Sequence, residues 1–404
     1  MTLAGSPLRI VEPTGASARS GNASGLAVLQ LGFRPFYVLA SLFAALSVTA
    51  WAAQTAGLLG RPYLAGPLWH AHEMVFGYAL AVVVGFLFTA VRTWTNQPTP
   101  TGPLLALFVV VWLAGRLLVV TRFGWAAAVI GPLFPLSCAL ALAVPLTKAR
   151  NRRNYFFVLL LLAIAAADAL FNLSQLGVLQ LPADLGIRLA LDLILIVMAT
   201  VAGRVTPMFT NNGVPGAGAV SIPLLDRVAM VLLALLLMAD SVGLQSGALA
   251  ALTAITSAAH GARWLLWRPW KTLSTPLVWA LHVAYAWIPL HLALRSAVAL
   301  GWPETSAATH ALTVGAIGGL TVAMMTRTSL GHTGRPLIAA RTETQIYLLI
   351  MAAATVRVAA PLIGNQWGPT AIVVSALLWS TAFLVFLFKY GPMLVRARVD
   401  GKAG

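Results

Sequence analysis

"PLWHAHEMVFGYALAVVVGF", residues 67–86, opens on a proline and continues as a long apolar run. Near its start stand His70, His72 and Glu73, three groups that hydrocarbon penalises. About 20 apolar residues in a helix cross a bilayer, so the stretch reads as a membrane span with a polar site near one end. Ionisable side chains at such depth are costly, and they mark either pairing or function.

The same composition governs the rest of the chain. Of 404 residues, 59% are hydrophobic and 9% charged, against about 25% charged in an ordinary soluble protein. Apolar runs recur at 33–55, 69–91, 103–121, 124–146, 155–178, 185–206, 223–243, 245–267, 276–299, 304–328, 342–363 and 367–390. They predict an all-α, polytopic membrane bundle of about twelve transmembrane helices. Connections such as NQPTPTG and LGHTGRP are short and rich in breakers, and leave no room for a soluble domain. Residues 1–28 read as a disordered tail without the apolar region of a signal peptide, 29–392 as a single transmembrane domain, and 393–404 as a C-terminal tail.

The net charge of +16 has two possible sources, nucleic-acid binding or membrane topology. Twenty of the 26 Lys and Arg fall on the side of the N-terminal tail; the remaining six are Arg61, Arg116, Arg122, Arg188, Arg295 and Arg357. Such a bias places both termini in the cytoplasm and accounts for the basic charge without nucleic acid. Cys138 is the single cysteine, which excludes intrachain disulfides, iron–sulfur clusters and thiolate zinc sites.

Orientation converts position into depth. His70, His72, His291 and His310 are expected in one outer layer, His260 and His282 in an inner one, and His332 at the cytoplasmic side. On a regular helix His70 and His72 point roughly 200° apart and cannot both grip one metal. Imidazole suits haem iron and copper equally, and HAHEM lacks the His-Glu-x-x-His spacing of zinc hydrolases. Glu73 is a candidate proton carrier, or a partner that fixes an imidazole tautomer; a salt bridge to Arg61 is the plainer alternative. Asp168 and Asp192 lie inside apolar runs and must be neutral, paired or facing water. Arg116 and Arg357 are their candidate partners, or candidate grips for the propionates of a haem.

"RTWTNQPT" from Arg92, "RVTPMFTNN" from Arg204 and "RTSLGHTG" from Arg327 share an Arg followed by two Thr. Their separations of 112 and 123 residues are four runs each. A three-fold repeat of four helices, with the second, sixth and tenth inside, would produce this pattern; so would the ordinary use of Arg and Thr at helix ends.

Longer motifs carry a resemblance. "LGFRPFYVLA" (31–40), "WHAHEMVFGYA" (69–79), "GFLFTAVRTWT" (85–95), "GRVTPMFTNN" (203–212), "LHVAYAW" (281–287), "HALTVGAIGG" (310–319) and "TRTSLGHTGRPL" (326–337) resemble the hallmark segments of the NnrS family. The resemblance implies a twelve-span protein of the bacterial inner membrane, with haem (expected as b-type) and copper, linked to nitric oxide tolerance and denitrification. It also implies His70, His72, His282, His310 and His332 as candidate ligands. His291 and His260 lie outside these segments, and "DALFNLSQ" carries Asn172 where many relatives have a histidine. The architecture is also similar to that of haem–copper oxidases and nitric oxide reductases, without their adjacent histidine pair.

The first function expected is therefore nitric oxide binding or reduction at a His-ligated haem and copper site, supplied by an electron donor the sequence does not name. A secondary transporter or metal-handling permease is a second reading, suited by 34 Gly and 23 Pro. A quinol- or cytochrome-linked reductase is a third. Trp69, Trp94, Trp112 and Trp279 read as interfacial belt residues more simply than as quinone stackers.

Overall fold

The computed structural model describes residues 26–55, 63–64, 66–244, 247–363 and 367–402, and among these every regular element is helical. The expected N-terminal tail lies almost wholly outside the described residues, as does Arg61. The helices are α1 (Phe33–Thr55), α2 (Gly66–Thr95), α3 (Gly102–Leu118), α4 (Gly124–Lys148), α5 (Tyr155–Gln175) and α6 (Leu185–Gly213). They continue with α7 (Pro223–Ser241), α8 (Gly247–Leu266), α9 (Pro276–Ala299), α10 (Thr305–His332), α11 (Arg341–Ile363) and α12 (Gly368–Val395). Hydrocarbon offers peptide groups no partner, so an apolar run must satisfy its own backbone, and a helix does so within one segment. Proline in the first turn, where no N–H is needed, starts α3, α7, α9 and α12.

Eight helices among the described residues are long and apolar enough to cross a membrane: α2, α4, α5, α6, α9, α10, α11 and α12. The chain is thus a helical membrane protein by length and composition. Phe33–Val48 of α1 and all of α3 are shorter apolar helices. Neither α7, which carries Asp226, Arg227 and Asp240, nor α8 is among the eight. Twelve crossings are therefore not reached on these criteria alone.

Burial separates an inside from an outside. In the most apolar window of each helix, 83% of α2, 72% of α10 and 61% of α6 is buried, against 33% of α12. Chain neighbours pack as pairs (α4 with α5, α8 with α9, α11 with α12), and α1 packs on α12. Gly85 lets α1 lie close to α2: a Cβ there would stand 2.9 Å from the Cβ of Phe36 and 3.3 Å from the backbone of Phe33. Small residues at such crossings replace the hydrophobic drive that lipid removes. Trp69 and Trp112 are buried inside the bundle, and Trp112 donates to the Gly77 carbonyl at 3.0 Å, so neither is a belt residue.

The three-fold repeat is not confirmed. Arg92 is exposed, Arg204 donates to Asn154 and lies over Phe156 and Phe157, and Arg327 lies over Phe209. Moreover α2 and α10 pass through π-helical turns, Glu73–Ala79 and Ala311–Gly318, whereas α6 has none.

The two ends of the chain are tied together. Arg34, fully buried at the start of α1, donates to the carbonyls of Leu394 at 3.1 Å and Arg396 at 2.6 Å. A cation there satisfies carbonyls that the end of α12 leaves open. The helix runs three residues past the expected domain end at 392, and the segment beyond it folds back: the Val399 amide donates to Thr333 O, and Arg398 donates to His332 O. Arg34→Met removes two charge-assisted bonds worth roughly 1.5–3 kcal/mol each. It should destabilise the protein by about 3–6 kcal/mol, read as a lowered unfolding midpoint in detergent and faster proteolysis after Val395; an unchanged midpoint would show that α12 ends without this cap.

Candidate functional site

The quoted opening segment divides its polar groups between two directions. His72 points toward α5, fully buried between two carboxylates: its Nδ1 lies 2.8 Å from Glu73 Oε1 and its Nε2 3.0 Å from Asp168 Oδ1. If both carboxylates are ionised, both ring nitrogens must carry hydrogen, so this geometry is that of an imidazolium. Arg116 of α3 stands 3.1 Å from Glu73 Oε1. Asn172 donates to Asp168 Oδ1 at 2.7 Å and accepts from the Tyr63 hydroxyl at 3.1 Å. Burial, then the charge of Asp168, pushes the Tyr63 phenol up to about 12, which keeps it a neutral donor. The rings of Phe76 and Phe171 cover His72 at 4.9 and 5.0 Å. Two carboxylates, one guanidinium and one imidazolium cancel, as burial at this depth demands.

His70 points the other way. Its ring stacks on Trp51 at 4.7 Å, and its Nδ1 is buried without a hydrogen-bond partner. It lies within electrostatic reach of His310 on α10 and of Arg357 on α11. Arg357 donates to Ser306 Oγ at 3.0 Å and has no acidic partner among the described residues. His310 Nδ1 donates to the Ser306 carbonyl at 2.7 Å. On α9, His291 Nδ1 donates to the Ala308 carbonyl, also at 2.7 Å, and its Nε2 is buried without a partner. The first turns of α10 thus set two imidazoles in the same tautomer, with the proton on Nδ1 and the lone pair on Nε2. A carbonyl on one nitrogen is how proteins orient a histidine whose other nitrogen binds metal.

One turn beyond His291, Arg295 reaches Asp192 of α6 at 3.2 Å and Asp240 of α7. Asp192 therefore finds its cation on α9. The pairing expected of Arg116 or Arg357 with Asp168 or Asp192 does not occur: Arg116 answers Glu73, and Arg357 binds a hydroxyl.

The other end of the bundle holds the remaining histidines. His282 Nε2 is 2.7 Å from the Thr210 hydroxyl, with Nδ1 buried and unpartnered. His260 Nδ1 lies 2.7 Å from the Tyr285 hydroxyl, which accepts from Arg263, and its Nε2 is buried without a partner. His332 lies beside Phe33 at the end of α10, 22 residues from His310. At a rise of about 1.5 Å per residue that is roughly 33 Å along the helix, so His332 cannot share a metal with His310. Among the described residues no three His, Cys, Asp or Glu side chains converge as a metal cage.

Sequence reasoning did not identify Ser306, Trp51, Tyr63 or the Arg295–Asp240 contact as parts of these sites. Arg295 carried a usable signal, since it stands four residues after His291 on one helical face. The π turns carried none, although such turns recur at functional sites.

The family model described as NnrS protein matches residues 27–398. No curated protein matches the chain.

The charge cluster makes a thermodynamic prediction. Arg116→Met removes one partner of a buried pair and should cost about 3–5 kcal/mol. Adding Glu73→Gln removes the charge left behind, so the double variant should unfold later than the single one. Additive losses in denaturant or thermal unfolding would show that the two are not coupled.

Proposed function

This chain belongs to the NnrS family, and from that premise we propose that it is a haem- and copper-binding protein of the bacterial inner membrane that acts in the response to nitric oxide. It crosses the membrane twelve times, with both termini in the cytoplasm; the positive-inside bias supports that orientation. α1, α3, α7 and α8 supply the crossings beyond the eight qualifying helices, since each packs into the same bundle.

The observation that carries the reading is the matched tautomer of His291 and His310. Each spends its Nδ1–H on a backbone carbonyl of α10 and keeps Nε2 for a ligand. On this ground the donors suit haem: His291 or His310 would offer Nε2 to its iron, and Arg357, free of acidic partners among the described residues, would receive a propionate. His70, with its orphaned Nδ1, is the third candidate nitrogen at this end. Copper fits less well. With no three-donor cluster among the described residues, it is proposed from the family alone, and no ligand set is assigned.

Ferrous haem, when bound, supplies the iron at which nitric oxide coordinates. Around it this chain's residues have separate tasks. Arg295 with Asp192 and Asp240 fixes α9 against α6 and α7, and so fixes the height of His291. His72 and Glu73 share a proton between Nδ1 and Oε1 across 2.8 Å, a store on the opposite side of α2 from His70. That store would serve reduction of nitric oxide, a nitric oxide reductase-like activity, whereas binding alone does not require it.

The test is spectroscopic. Purified protein should show a reduced-minus-oxidised haem spectrum and contain iron and copper. His310→Ala and His291→Ala should each shift or remove a haem band, while His332→Ala should leave the spectrum unchanged. A folded, colourless, metal-free preparation would favour the permease reading. Anaerobic consumption of nitric oxide with a reductant then separates catalysis from binding.

A further inference from the structure

Two adjoining cavities open at mid-length between the inner helices, and they share Met198 and Val201 of α6 with Leu320 and Met324 of α10. The larger also reaches Val83 of α2, and the smaller is wholly apolar. Space for the centres of water-sized molecules amounts to ≈ 20 Å³ in one and ≈ 40 Å³ in the other. One such molecule needs roughly 10–15 Å³ on this measure, so there is room for more than one.

Water is a poor occupant. A buried water needs two to four polar partners. The Thr321 hydroxyl on the wall is already spent, donating to the Ile317 carbonyl and meeting the Tyr78 hydroxyl at 2.6 Å. The Tyr37 hydroxyl, at the edge of the larger cavity, offers at most one contact. Apolar cavities of this kind stay dry and accept apolar atoms such as xenon.

An accident of packing is also a poor account. Interiors are close-packed, with few voids larger than a water molecule. Methionine is the side chain best able to fill irregular gaps, being unbranched and flexible. Here two methionines line the space and leave it open. It sits where α2, α6 and α10, the most buried of the membrane-length helices, come together, and not at the periphery where loose packing costs least.

We propose that this junction is a docking site for a small, uncharged, apolar molecule of the size of a dissolved gas. Such molecules partition into hydrocarbon, so a dry cavity at mid-bilayer depth can take them up directly from the membrane. The assignment of the chemical class stands on the cavity alone. Naming nitric oxide as the gas rests on the function proposed above.

The experiment uses xenon on the full-length protein in detergent, followed by the ¹²⁹Xe chemical shift against xenon pressure. The wild type should show a saturable component above partition into the micelle. Val201→Phe and Val83→Phe, which push a ring into the space, should each abolish it, while Leu377→Phe on the exposed face of α12 should leave it intact. Should the filled variants fail to fold, Val201→Ala enlarges the cavity and should increase the bound xenon. A shift that rises linearly with pressure, or a saturable one untouched by these substitutions, overturns the proposal. So does displacement of xenon by added phospholipid, which would make the occupant an acyl chain. Metal content is not read in this assay: saturable xenon uptake by a colourless protein would sustain the site and sink only the name of the gas.

Discussion

Hydrocarbon does not solvate charge, and the arrangement of this bundle follows from the need to set cations against its buried carboxylates. Asp168 and Glu73 share His72 and Arg116; Asp192 and Asp240 share Arg295; Asp226 meets Arg263; Glu343 meets Lys389. Each set draws on more than one helix, so each also fixes the height of one helix against another. The apolar surfaces alone could slide, because lipid tails and leucine side chains are nearly equivalent partners. Charge pairs at defined levels remove that freedom.

Against this background the groups left unanswered stand out. His70, His260, His282 and His291 each keep a buried ring nitrogen without a partner, and Arg357 keeps a guanidinium without a carboxylate among the described residues. Most of these lie at one end, on α2, α9 and α11, around the first turns of α10. Each buried carboxylate in these sets has a cation against it, whereas Arg357 has no acid among the described residues. The π turns below His70 and His310 belong to the same economy of geometry: each inserts a residue into an inner helix and rotates the histidine relative to the packed face beneath it.

Helix positions were legible in the sequence because the signal is additive: about 20 apolar residues suffice, whatever their order. The opposite directions of His70 and His72 were legible for a similar reason, since 100° per residue is a local rule. The partners of the charges were not legible. Arg116 and Arg357 were plausible mates for Asp168 and Asp192, yet helix arrangement gave Asp168 to His72 and Asp192 to Arg295, 96 and 103 residues away. The interfacial reading of Trp69 and Trp112 failed because tryptophan in an apolar helix looks alike in sequence whether it faces headgroups or a neighbouring helix. Nor could composition reveal that two separate imidazoles lean on carbonyls of one helical turn.

The tie between Arg34 and the end of α12 has a consequence for biogenesis. Ribosomes deliver a chain from N to C, and the carbonyls that receive Arg34 lie 360 and 362 residues after it. Until residue 396 leaves the exit tunnel, the guanidinium at the mouth of α1 has no seat, and α1 has α2 to pack on but not α12. The contact that seats it therefore forms only after every helix between α1 and α12 has been made, which sets it late in the assembly of the bundle.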